Sequence, residues 1–212
     1  MKAIIAGILQ SSLSDKMKTL LVIAALIASG MVPRRAAVGE RPPPTTGTVA
    51  PVPSIIATSP DRVNVLRVAS GEVGTRERTG NNDGPVEKYL NAVGAAKGAP
   101  YCAAFVAWVG NKALGNRSPF PMSAWSPDMV KGGTSKIESA RPGDTFGIYF
   151  PAKGRVAHTG FIERREGNFL VTIEANTSAS AASGSAADRE GEGVYRKRRH
   201  VQTVRAVKSW LP

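Results

Sequence analysis

Two hydrophobic patterns divide the chain downstream of residue 60. Up to about residue 130, apolar positions recur at helical spacing; beyond residue 140 they recur as short strand-like runs. Asp61 is placed to cap a helix through Val63, Val65, Leu66 and Val68 that stops near Gly71. Thr79 to Gly84 is a turn cluster, after which Pro85 opens a helix from Val86 to Val93, stopped by Gly94. Pro100 suits the first turn of a third helix, Ala103-Ala104-Phe105-Val106-Ala107-Trp108, that ends between Gly110 and Gly115. Ser126-Pro127-Asp128-Met129-Val130 predicts one more short helix. Arg141-Pro142-Gly143-Asp144 is then a turn that launches a strand, Thr145 to Phe150. Val156–Glu163 and Asn168–Glu174 read as a hairpin turning at Arg165-Glu166-Gly167. Val194–Arg198 and Val204–Val207 complete a small antiparallel sheet, and Ser178 to Gly193 is a Ser/Ala/Gly-rich loop. Helices first and strands after indicate an α+β domain, with N-terminal helices packed on a small antiparallel sheet.

The first 60 residues follow neither pattern. Lys16 and Lys18, the apolar run Leu20 to Ala28, and the small residues Ser29 and Gly30 stand in the order of a secretory signal. Residues 1–32 are therefore expected to be a signal peptide or signal anchor, and export to the periplasm, envelope or exterior is expected. The apolar run is shorter than the roughly 18–20 residues of a spanning helix. Membrane contact is expected only through this segment. Residues 33–60 are a Pro-rich linker (Arg41-Pro42-Pro43-Pro44-Thr45-Thr46, Pro51-Val52-Pro53), too dense in proline for helix or sheet. Residues 61–212 are left as the folded domain, catalytic or binding.

Charge narrows the choice of partner. The 212 residues carry 28 Lys/Arg against 16 Asp/Glu, a formal net charge of +12, spread over both the N-terminal segment and the domain. A basic surface favours polyanions: nucleic acid, anionic lipid or an anionic cell wall. No zinc-finger spacing, P-loop or aromatic RNA-binding signature accompanies it, so nucleic acid is not the expected partner. With a single cysteine, Cys102, no internal disulfide is open to these residues, and the thiol is either inert or reactive.

Cys102 falls at the start of an apolar helix, where free N–H groups and the helix dipole stabilise a thiolate. A nucleophilic cysteine needs a base, and the chain has two histidines. His200 follows Arg196-Lys197-Arg198-Arg199, whose charge makes it a poor base. His158 lies within a strand, and the hairpin returns Glu174 and Asn176 beside it. A carboxylate or amide there holds the tautomer and orientation of the imidazole. Trp125 is a candidate cleft wall, and equally a candidate core residue; Phe105 and Trp108 are expected in the core. Arg196 to Arg199 are either a grip for anionic wall polymer or a solvated strand face.

Tyr101-Cys102-Ala103-Ala104-Phe105-Val106-Ala107-Trp108, Ala157-His158-Thr159-Gly160-Phe161 and Thr172-Ile173-Glu174-Ala175-Asn176-Thr177 together resemble a CHAP domain, the cysteine, histidine-dependent amidohydrolase/peptidase family of the papain-like superfamily. The resemblance spans roughly residues 62–210. It implies a papain-like fold and hydrolysis of peptidoglycan amide bonds, with Cys102 as nucleophile, His158 as base then acid, Glu174 as its orienter and Asn176 as further polar support. Peptidoglycan is the implied substrate, with anionic wall polymers as further partners. An N-acetylmuramoyl-L-alanine amidase of the same fold, a transamidase and a non-catalytic wall-binding module are the alternative readings. The chain departs from the papain-like pattern before the nucleophile. Gly98-Ala99-Pro100-Tyr101 offers no polar oxyanion donor but the Tyr101 hydroxyl, so the Cys102 N–H carries more of that duty. No metal or cofactor is expected: Asn81-Asn82-Asp83 has too few carboxylates for the calcium that some relatives bind, and Asn82 or Asp83 is expected to cap the following helix.

Overall fold

A computed structural model of the chain describes residues 59–179 and 190–212. The expected signal segment, nearly all of the linker and most of the 178–193 loop lie outside the described residues. What is described is a mixed helical and antiparallel-sheet domain.

Helix α1 spans Pro60–Gly71, with Pro60 at a position where its missing N–H is no loss. The cap position falls to Ser59, not Asp61. Asp61 sits inside the first turn, where its charge complements the dipole and Arg117 pairs with it at 3.1 Å. Helix α2, Glu87–Ala92, follows a 3₁₀ turn at Gly84–Val86. Neither Asn82 nor Asp83 caps it by side chain. The Asp83 carboxylate accepts the Thr79 N–H (2.9 Å) and the Arg78 guanidinium (3.2 Å), and the Asn82 amide donates to the Gly98 carbonyl (2.9 Å). Asp83 is consumed in holding the loop's own shape, and Asn82 in tying the loop to the segment before α3. Helix α3, Cys102–Leu114, is capped at Tyr101, which leaves Pro100 just outside the helix instead of in its first turn. From Cys102 to Ala107 every residue of α3 is buried, as expected of a helix apolar on all sides and wrapped by the rest of the domain. Ser126–Val130 forms the expected short helix as a 3₁₀ turn.

The sheet contains β1 (Thr145–Phe150), β2 (Arg155–Glu166), β3 (Phe169–Thr177), β4 (Gly193–His200) and β5 (Ala206–Lys208). Their order is β4-β3-β2-β1-β5 and every pairing is antiparallel. The β2–β3 turn is tighter than the sequence suggests. Glu166 pairs with Phe169, so only Gly167 and Asn168 make the turn, and Gly167 supplies its positive φ of 59°. β2 and β3 are the longest strands, and their pair Phe161–Ile173 belongs to the main core with α3. Phe105 of α3 meets Phe161 edge-on at 6.2 Å. A smaller cluster gathers Ile137, Ile148, Phe150, Leu170, Val204 and Val207.

One buried charge ties the first helix to the last residues. Arg62 is 2 % exposed. Its guanidinium pairs with Asp144 at 2.8 Å and donates to the carbonyls of Pro142 and Leu211, each at 2.6 Å, and to the Ser209 hydroxyl. Removing one member of such a pair strands the other charge in the interior. Arg62→Ala is expected to lower unfolding stability by about 3–5 kcal/mol, read from the midpoint of urea denaturation, with Arg62→Ala/Asp144→Ala recovering part of the loss.

Candidate active site

Four elements each contribute one side chain to a continuous buried line. Cys102 is the first residue of α3, His158 lies on β2, Glu174 on β3 and Arg199 on β4. The three strands are neighbours in the sheet, so a side chain from each meets the next. His158 Nε2 lies 2.8 Å from Glu174 Oε2. Arg199 closes on the far side of the carboxylate with two bonds, its Nε donating to Oε1 at 2.8 Å and its Nη2 to Oε2. The Thr172 hydroxyl donates to Oε1 at 2.5 Å. His158 and Glu174 are wholly buried.

Register explains how Glu174 reaches an imidazole that is not directly opposite. Its ladder partner is Gly160, which leaves His158 two residues along on the same face as a diagonal neighbour. A Cβ at position 160 would stand 3.0 Å from Glu174 Cγ and 2.6 Å from the Ile173 carbonyl oxygen. Glycine is what lets the carboxylate lean across to His158.

The charges settle in one direction along the line. Burial alone would raise the Glu174 carboxyl, but the Arg199 guanidinium, by charge and hydrogen bonds, and then His158, hold it well below the usual carboxylate range. Burial alone would lower His158; hydrogen bonds and charge from Cys102 and Glu174 push it up to about 9. Burial alone would raise the Cys102 thiol; His158 outweighs it, with lesser help from the Ser126 hydroxyl and the Thr159 N–H, and the thiol falls below its ordinary value. Both shifts run the same way, toward a thiolate on Cys102 and a proton on His158. Glu174 takes Nε2, which leaves the buried Nδ1 to face the Cys102 sulfur, with no oxygen or nitrogen partner among the described residues. Nδ1 is thus the nitrogen available to exchange a proton with Cys102 and with a bound ligand.

Cys102 is on the wall of a cleft of about 150 Å³ that it shares with Trp125, Ser126 and Arg155. Trp125 is therefore a cleft residue, 49 % exposed, and not part of the core. Ser126 Oγ lies 3.3 Å from Cys102 Sγ. Two expected site residues sit elsewhere. Tyr101 is fully buried, stacked on Tyr89, and its hydroxyl donates to Glu77 at 2.9 Å, so it neither lines the cleft nor offers an oxyanion donor. As the cap residue of α3, it is turned inward beside the helix. Asn176 does not hydrogen-bond the imidazole ring; its Oδ1 accepts the Tyr101 N–H at 3.3 Å and so anchors the start of α3. Its φ of +58° lies in the left-handed region, which asparagine tolerates.

The basic run on β4 is also divided. Arg199 is 2 % exposed and committed to Glu174, Arg196 pairs with Glu163 at 2.7 Å, and Arg198 covers the Phe169 ring and pairs with Glu166. His200 accepts the Gln202 N–H and packs edge-on against Phe169. Sequence reasoning missed Ser126, Arg155 and Arg199 in this setting. Strand parity alone would have put Arg199 on the Glu174 face once β4 was known to pair with β3; nothing in the sequence marks Ser126 or Arg155. Among the described residues no group of three or more His, Cys, Asp or Glu side chains is arranged to hold a metal.

No protein-family model matches the chain, and no curated protein compared with it is similar to it.

A depressed thiol pKa means that thiolate reactivity persists below the ordinary range, near pH 8.5, and is lost only as pH falls through the lowered value. Alkylation of Cys102 by iodoacetamide is therefore expected to show its pH midpoint below that of a free cysteine measured alongside it. Arg199→Leu removes the counter-charge of Glu174, so the carboxyl takes up a proton and stops supporting imidazolium. The alkylation midpoint is expected to move up by about one pH unit or more, with Arg199→Lys in between.

Proposed function

We propose that this chain is a cysteine hydrolase of the papain-like CHAP type that cleaves amide bonds in the stem peptides or cross-bridges of peptidoglycan outside the cytoplasm. The observation that carries the reading is the Cys102–His158–Glu174 line, buried, hydrogen-bonded from His158 to Glu174 and backed by Arg199. A fold needs no such line for stability, since an ion pair in the interior is seldom a net gain over apolar packing. The three sequence motifs around Cys102, His158 and Glu174 direct the reading to peptidoglycan.

The Cys102 thiolate attacks the carbonyl carbon of the scissile amide, forming an S–C bond and an oxyanion that backbone N–H groups at the start of α3 receive. His158 Nδ1 gives its proton to the amine as the C–N bond breaks, leaving a thioester on Cys102. Water then attacks the thioester while Nδ1 takes a proton from it, the acid departs and the thiolate returns with imidazolium beside it. Glu174 keeps Nε2 protonated throughout, which fixes Nδ1 as the working nitrogen.

Incubating the protein with purified peptidoglycan and identifying the products by mass spectrometry tests the reading and names the bond. Cys102→Ala is expected to release no fragments. His158→Ala is expected to lower kcat/KM by about 10²–10⁴-fold, and His200→Ala to change it by less than about twofold. Wall that sediments with a folded protein but yields no fragments would replace the hydrolase with a binding module.

A further inference from the structure

Arg155 is the first residue of β2, three positions before His158, and it stands at the cleft beside the nucleophile. Its guanidinium carbon lies 3.8 Å over the Trp125 ring, and its Nη1 donates to the Val156 carbonyl at 2.8 Å. The ring and the carbonyl together fix the plane of the guanidinium. Neither contact consumes its charge. Arg196, Arg198 and Arg199 each hold a carboxylate, whereas among the described residues Arg155 holds none. An oriented, unneutralised guanidinium at the rim of a reactive site is built to take an anion from outside the protein.

The remaining walls set the size of what enters. Ala99, Pro100, Ala124 and Ala157 present only small apolar surfaces. The volume of about 150 Å³ is well below the roughly 300–1,000 Å³ of pockets that enclose whole small ligands. The cleft thus admits one small residue, with Cys102 on one side and Arg155 on the other. A single guanidinium offers two parallel donors, the match for a carboxylate, and no other lysine or arginine lines the cleft to share the larger charge of a phosphate.

We propose that Arg155, held over Trp125, is a carboxylate-recognition site, and that the preferred substrate is a peptide with a small residue at the cleft and a free carboxylate close to the amide that Cys102 attacks. The proposal rests on the hydrolase reading and adds the substrate chemistry of the same site.

The test has one arm that needs no turnover. Iodoacetate and iodoacetamide both alkylate a thiolate with loss of iodide, and they differ in carrying a carboxylate or its neutral amide. Cys102 is the sole cysteine in the sequence, so each rate reports on it alone. Arg155→Gln is expected to lower the iodoacetate-to-iodoacetamide rate ratio by about tenfold, and Arg155→Lys by less. Lys112→Gln, on α3 and outside the cleft, controls for loss of overall charge. The second arm compares hydrolysis of one short stem peptide with its carboxylate free or as the carboxamide. The wild type is expected to favour the free acid about tenfold in kcat/KM, and Arg155→Gln to abolish the preference. An unchanged alkylation ratio, or cleavage with no carboxylate preference, overturns the proposal and leaves the hydrolase standing. A lowered ratio with neither peptide cleaved keeps the carboxylate site but overturns its role in substrate choice, and digestion of whole peptidoglycan decides the hydrolase separately.

Discussion

A carboxylate buried without exposure is the constraint around which this domain is arranged. Glu174 costs far too much as an isolated anion in the interior, and it is kept ionised only because Arg199 meets it from one side and His158 from the other. That requirement dictates the strand order at the middle of the sheet: β4, β3 and β2 must be adjacent for one side chain from each to touch the next. Glu174 raises the proton affinity of His158, and His158 in turn lowers that of the Cys102 thiol at the start of α3. Each charge in the line is the condition for the one beside it.

The main chain around the line is specialised to the same end. Gly160 clears the diagonal between Glu174 and His158, and a two-residue turn at Gly167–Asn168 sets the register that makes them diagonal neighbours. Two residues past Glu174, Asn176 bends into the left-handed region and receives the Tyr101 N–H. β3 therefore carries both the group that orients the imidazole and the group that fixes the helix bearing Cys102. Imidazole and thiol keep their separation because one strand contacts the residues that hold each.

The parts of this arrangement that depend on local pattern were legible in the sequence. Period-two apolar runs and a glycine-containing turn place His158 and Glu174 on one hairpin, and the apolar run after Cys102 places the thiol at a helix start. What depends on distant contacts was not. Arg199 looks like one cation in a solvated basic run until β4 is docked beside β3, and its burial reverses its role. Tyr101 has the chemistry of an oxyanion donor, but the cap geometry of α3 and a partner in Glu77 turn its hydroxyl into the core. Asp61 and Asp83 carry the residue type of helix caps, yet Pro60 shifts the first boundary by two positions and the 79–83 loop claims the second carboxylate. Caps fail as predictions where a loop has its own unpaired donors to satisfy.

The solitary state of Cys102 has a consequence for oxidation. A lowered thiol pKa makes the sulfur prone to capture by peroxide as a sulfenic acid, and these 212 residues contain no second thiol to condense with it. Rescue has to come from a reductant small enough to enter a cleft of about 150 Å³. Failing that, the sulfur proceeds to the sulfinic acid and does not return. The same environment that prepares the sulfur for chemistry makes it a fuse, and its working life is set by the redox state of its surroundings.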